Sequence, residues 1–338
     1  MTIKNISTIE IIAELAQGFE GRPDQARLLI KAAASAGADA AKFQLVYADE
    51  LATPDYKYYK LFRSLEMSDA VWSSLATYAA ELNIKLYVDV FGKRSLHLAE
   101  QIGVAAVKIH GTDITNIGLL SEVAGSSIQR VLLGAGGAYL SEIQQAIEVL
   151  SNKAVVVLLG FQGYPTPDED NQIERIRFLA QQFRQYPNVI IGFADHALSG
   201  SPMRYALAAV ALGVGAKVFE KHLTLGRVMK LEDYEAALNP DEFLEFSQIM
   251  WSCMQSLGGT DEVDDFGMNE AELDYRKMIR RHVVLNKALQ NGSKILPEDV
   301  VLKRTSSECI ITDVSSVYQK ILKRDLQQNT PISPADIY

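Results

Sequence analysis

The chain has 338 residues, 48% of them hydrophobic and 22% charged, and a formal net charge of −9 at pH 7. That is ordinary globular composition, long enough for one large domain and a small one, and its acidity excludes a general nucleic-acid or anionic-membrane binder. Two cysteines far apart in the chain, Cys253 and Cys309, give no disulfide framework and no zinc spacing, Met1–Glu10 lacks the marks of a signal peptide, and the longest apolar stretch, near Tyr205–Ala216, is too short to span a bilayer. A cytoplasmic location is expected.

Short apolar runs alternate with longer amphipathic ones from the start. The expected strands are Ile11–Leu15, Ala40–Val46, Lys85–Phe91, Ala105–Gly111, Arg130–Ala135, Val155–Phe161, Val189–Phe193 and Lys217–Leu225. Helices are expected over Pro23–Ala36, Ser68–Leu82 after a long connection, Lys93–Ile102, Ile117–Ala124, Leu140–Leu150, Ile173–Tyr186, Met203–Leu212 and Pro240–Leu257. Strands this apolar are buried on both faces, and each is followed by a crossover helix. Eight such units in roughly 250 residues predict a (β/α)₈ TIM barrel over 1–257. A doubly wound sheet is the alternative, but no glycine-rich dinucleotide loop supports it. GAGGA (Gly134–Ala138) lacks that spacing and reads as a close backbone approach or anion nest.

After Leu257 the pattern changes. Residues 258–276 read as an acidic linker or exposed helix, and 277–338 as a small β-rich domain. Inside it QNGSKILPEDV (Gln290–Val300) and QQNTPISPADI (Gln327–Ile337) form a pseudo-repeat.

Barrel chemistry sits at the carboxyl ends of the strands. Those ends carry Glu14, Lys42 and Gln44, Asp89, Lys108 and His110, Gly134, Gln162 and Tyr164, Asp195 and His196, and Glu220 to His222. So many charges in a buried mouth are costly unless they bind something. His196 and His222 end consecutive strands, an arrangement that suits a divalent metal, with Glu220 or Asp89 as the candidate carboxylate. Period-two alternation puts Lys42 with Gln44, and Lys108 with His110, on shared faces, which suits a phosphorylated or carboxylated substrate.

The motifs AEL (Ala13–Leu15), AGADAAKFQ (Ala36–Gln44), VKIHGTDITN (Val107–Asn116), YPTP (Tyr164–Pro167), GFADHAL (Gly192–Leu198) and FEKHLTL (Phe219–Leu225) resemble the sialic acid synthase family. RRHVV (Arg280–Val284) and LKR (Leu302–Arg304) resemble that family's antifreeze-like SAF domain. The resemblance implies condensation of phosphoenolpyruvate with an N-acylmannosamine-type aldehyde to a nine-carbon 2-keto acid. It implies manganese or magnesium on His196 and His222, and Glu14 as catalytic carboxylate. Lys42, Lys108, His110, Gly134 and Gln162 fall to the donor, and Gln44, Asp113, Tyr164 and Asp233 to the sugar. Arg304 is expected to reach a partner's barrel in a domain-exchanged homodimer. The chain departs from the family at the donor, where Gly111, Gly134 and Ala194 replace serines, Asp89 replaces a threonine, and Gln162 an asparagine. Glycine backbone or a cationic His110 is the expected compensation. Two other assignments stay open: a Schiff-base pyruvate aldolase using Lys108 or Lys42, and a non-catalytic sugar-binding relative.

Overall fold

Eight parallel strands close into a barrel in chain order: β1 (Glu10–Ala16), β2 (Ala40–Gln44), β3 (Lys85–Val90), β4 (Ala106–Ile109), β5 (Arg130–Gly134), β6 (Ala154–Gly160), β7 (Val189–Asp195) and β8 (Val218–His222). The structure, a computed structural model, describes residues 9–258, 267–307 and 311–338. It divides into two compact units, Met1–Gly259 and Thr260–Tyr338.

The alternation of side chains along each strand builds the two layers of the barrel unit. One parity fills the interior with Ile12, Ala40, Tyr87, Ala106, Leu132, Val156, Leu158, Ala194 and Val218. The other parity, including Ile11, Phe43, Val88, Val107, Val157 and Phe219, packs against the surrounding helices. Burying each large side chain stabilises the unit by about 1.5–3 kcal/mol. The expected helices are present as Pro23–Ser35, Asp69–Glu81, Lys93–Gln101, Ile117–Gly125, Leu140–Val149, Arg175–Gln182, Ala206–Gly213 and Pro240–Leu257. Ser68 caps the second of these by accepting from the Val71 N–H. The long connection after β2 is not structureless. It holds two short helices, Ala48–Leu51 and Tyr59–Leu65, and their turns carry side chains into the barrel mouth.

In the second unit a helix spans Glu270–Ile279, so the boundary expected at 277 falls inside a continuous helix. Its start is set by Asn269, whose side chain accepts from Glu272 N while Glu272 accepts from Asn269 N, a reciprocal cap. Residues 259–266 of the expected linker, and Cys309, lie outside the described residues. Strands β9 (His282–Leu285) and β10 (Val300–Lys303) pair antiparallel over a core of Val283, Leu285, Ile295, Val317, Leu322, Leu326 and Ile332. The pseudo-repeat is structural. Asp299 and Asp336 close equivalent turns onto Leu296 N and Ser333 N, each at 2.9 Å, and pair with Lys287 and Arg324, each at 2.6 Å.

Candidate active site

The closed barrel brings five charged side chains together in its interior: Glu14, Lys42, Asp89, Lys108 and Glu220. Glu14 stands beside Lys42 on β2 and beside His222 on β8, while Asp89 on β3 stands beside Lys108 on β4. Lys42 Nζ lies against Glu14, 2.6 Å from Asp89 Oδ1 and 3.5 Å from Glu220 Oε2. Lys108 Nζ lies 2.6 Å from Glu220 and 3.9 Å from Glu14. All five are buried. Three carboxylates thus face two ammonium groups, and Asp89 Oδ2 and Glu220 Oε2 lack a hydrogen-bond partner.

That imbalance sets the protonation states. Burial, opposed by Lys42 and reinforced by Glu220 and Asp89, pushes Glu14 up to about 8. Burial alone would depress Lys42, but Asp89, Glu14 and Glu220 hold its pKa well above the ordinary 10.5. Desolvation would raise Glu220, yet Lys108 and Lys42 keep it below the usual carboxylate range.

Above this level the histidines meet. The His196 and His222 rings have centroids 5.3 Å apart. Tyr164 stands edge-on to both, at 5.9 and 5.7 Å, and Phe161 edge-on to His196 at 5.6 Å. His196 Nδ1 lies 3.0 Å from the Ala194 carbonyl; donating to it anchors the ring in the tautomer that leaves Nε2 as the available nitrogen. Burial lowers His196 to about 4, and burial together with His196 holds His222 well below 6.5. Two adjacent neutral imidazoles are the donor set a divalent transition metal takes. Neither expected carboxylate joins them: Asp89 is bound by Lys42 and Glu220 by Lys108. Among the described residues no group of three His, Cys, Asp or Glu side chains could hold an ion.

Two cavities open over this floor. The larger, about 520 Å³, is lined by Glu14, Gln17, Gln44, Tyr164, Glu232 and Asp233, together with Tyr58, Leu61 and Phe62 from the connection after β2. The smaller, about 220 Å³, lies against β4–β7 and is lined by Gly111, Gly134, Gly136, Gly160, Leu158, Phe161 and Ala194. Lys108, His110, Phe161 and His196 line both. Tyr164 Oη donates to the Asp233 carbonyl at 2.6 Å. Burial, with Glu232 and Glu235 nearby, pushes the Asp233 carboxyl up to about 6.

Two expected site residues stand outside both cavities. Gln162 turns outward and donates to the Asn171 carbonyl at 3.2 Å, lining neither central cavity. Asp113 accepts from Asn116 at 2.9 Å, at the start of the following helix, and also stands outside them. Arg304 follows β10 in the second unit and is exposed. His110 is not the expected cation, because burial lowers its pKa below 6.5. Phe161 was missed as a site residue, although it directly follows a buried strand that leads into Gln162 and Tyr164.

Residues 29–262 match the NeuB family. The chain is 27% identical over 346 residues to N,N'-diacetyllegionaminic acid synthase of Legionella pneumophila, covering 96% of this chain and 93% of that protein. It is 33% identical over 258 residues to spore coat polysaccharide biosynthesis protein SpsE of Bacillus subtilis, covering 72% and 67% respectively. Among solved structures it resembles an N-acetylneuraminic acid (sialic acid) synthetase from Leptospira borgpetersenii, with TM-score 0.72, 25% identity, and 82% and 96% of the two chains covered.

Proposed function

The chain belongs to the NeuB family, and from that premise we propose that it is a metal-dependent synthase joining a three-carbon enol donor to an N-acylmannosamine-type aldehyde. The product is a nonulosonic acid. Phosphoenolpyruvate is the donor that the resemblance implies. One observation carries the assignment: a pair of neutral imidazoles stands directly over a buried cluster of acids and ammonium groups, beneath two adjoining cavities of unequal size.

His196 and His222 would hold the ion, manganese or magnesium, which as a Lewis acid polarises an aldehyde oxygen. Gln44, Tyr164 and Asp233 offer hydrogen-bonding groups to a polyhydroxylated sugar in the larger cavity. Lys108 faces both cavities, at the junction where donor and aldehyde carbons must meet. Glu14, pushed up to about 8, holds or releases a proton near neutral pH. In the second unit Arg304 is the residue we assign to completing a partner subunit's site within a homodimer.

A Schiff-base mechanism on Lys42 is disfavoured, since three carboxylates hold that amine protonated. A sugar-binding relative has no use for a buried charge cluster, which costs several kcal/mol per desolvated ion. The test is mass spectrometry of products after incubation with manganese, a panel of N-acylmannosamines, and either phosphoenolpyruvate or pyruvate. A nine-carbon 2-keto acid is expected. Its absence with both donors, from folded metal-binding protein, would leave a sugar-binding protein.

A further inference from the structure

Behind the histidine pair, on the outer side of the barrel wall, lies a buried ion pair that the proposed chemistry does not use. Asp195 and Lys221 are register partners on β7 and β8, and Lys221 Nζ stands 3.0 Å from Asp195 Oδ1. Both side chains are buried, and neither lines the two cavities over the site. They share the parity of Phe193 and Phe219, which belong to the core packed against the surrounding helices.

Stability alone does not account for two charges in that layer. Ions taken out of water regain the cost only where the geometry is good and the remaining polar atoms are satisfied. Asp195 Oδ2 has no hydrogen-bond partner among the described residues. An apolar pair of similar volume would hold two packed strands about as well. What an ion pair adds is a fixed geometry between two particular points.

The sequence neighbours of the pair show which points are fixed. Asp195 immediately precedes His196, and Lys221 immediately precedes His222. Asp195 with Lys221 is also the last step of the β7–β8 ladder. One residue further, the strands are tied to different loops. The His196 carbonyl accepts from the Thr166 N–H at 2.8 Å, and the His222 carbonyl from the Leu238 N–H at 2.9 Å. Successive side chains on a strand point to opposite faces, so holding Asp195 and Lys221 outward holds the two rings inward. Asp195 Oδ1 also accepts from the Ala197 N–H at 2.9 Å, which closes the backbone on the far side of His196. Two imidazoles share one ion only at a set separation, and here their centroids are 5.3 Å apart.

We propose that Asp195 and Lys221 are positioning residues for the metal: their ion pair clasps the ends of β7 and β8 from behind and sets the separation and aim of the His196 and His222 rings. This rests on the assignment of the ion to those rings and adds to it two residues that lie outside both cavities.

Calorimetric titration of the full-length protein with manganese, after chelation, tests this beside urea denaturation. Asp195→Asn keeps the shape of the side chain and an acceptor for Ala197 but not the charge, and is the variant least able to unfold the chain. Lys221→Met keeps the length. Combined, the two leave no unpaired ion and should recover stability lost in either alone. Each of these variants is expected to bind manganese about tenfold or more weakly than the native chain, the combined one included. Arg130→Met is the control. It breaks the pair of Arg130 with Glu10, the first residues of β5 and β1, at the other end of the barrel. It should lower stability and leave manganese affinity unchanged. Native affinity in Asp195→Asn or in the combined variant would overturn the inference and leave the metal on His196 and His222. An equal loss in Arg130→Met would overturn it as well, since any loosening of the barrel would then do the same. A native chain that binds no manganese would remove the metal assignment, and the clasp with it.

Discussion

Lys42 Nζ donates to Asp89 Oδ1 at 2.6 Å, and neither residue reaches solvent. This bond ties β2 to β3 inside the barrel and neutralises one of three carboxylates that would otherwise repel each other. Lysine here is a structural counter-ion as much as a reagent.

Removing that counter-ion should be severe. Lys42→Met is expected to cost about 3–5 kcal/mol in chemical denaturation, because it strands charges already taken out of water. Adding Asp89→Leu should return part of the loss. A single variant as stable as the native protein would mean that the cluster holds fewer charges than its geometry suggests.

The histidine pair makes a separate prediction. His196→Ala with His222→Ala should abolish manganese binding, measured as bound metal after gel filtration, in protein that keeps its circular dichroism. Native metal content in the double variant would remove the metal from this site.

Tyr164 braces both rings and ties them to the loop through the Asp233 carbonyl. Tyr164→Phe loses one hydrogen bond, about 1 kcal/mol of stability, and should leave metal affinity nearly intact. Tyr164→Ala removes the ring and should weaken metal binding by about tenfold or more, as other supporting groups do. Equal metal affinity in the two variants would deny the ring a positioning role.

Asp233 gives a pH signature. Its carboxyl has an ordinary value of 3.8 and is pushed up to about 6 in the folded chain. Between those values the folded state binds the extra proton, so its contribution is present below about pH 4 and lost as pH rises through 6. Asp233→Asn should abolish that loss. Its stability relative to native protein should then increase between pH 4 and pH 7 by on the order of 2 kcal/mol. A constant difference across that range would show a carboxyl indifferent to burial.

The assignment of Arg304 to a neighbouring subunit is tested by complementation. Arg304→Ala and Glu14→Ala proteins are each expected to be inactive, and a mixed dimer should regain one competent site. A verified mixed dimer without activity, or a fully active monomer, would end the shared-site proposal.

Much of the barrel was legible in the sequence. Eight apolar runs separated by amphipathic helices have few packed solutions, and a strand such as AVVVLLG, buried on both sides, needs helices over it and neighbours beside it. The strand ends pointed to Glu14, Lys42, Lys108, His196 and His222, because alternation and the polarity of the sheet settle which residues reach the mouth. What those residues do to each other depended on the fold alone. Barrel closure decided that Asp89 pairs with Lys42 and Glu220 with Lys108, not with the histidines, and burial then decided which of them carry charge. Loop paths turned Gln162 and Asp113 away and brought Tyr58, Leu61 and Phe62 in, distances that no sequence spacing encodes. GAGGA (Gly134–Ala138) read in sequence as a close backbone approach, but only the packed barrel showed how little room lies beside Gly134 and Gly136. Sequence periodicity determines which face a side chain takes; the sign and size of a site arise from through-space distances and desolvation, and those exist only once the strands have closed.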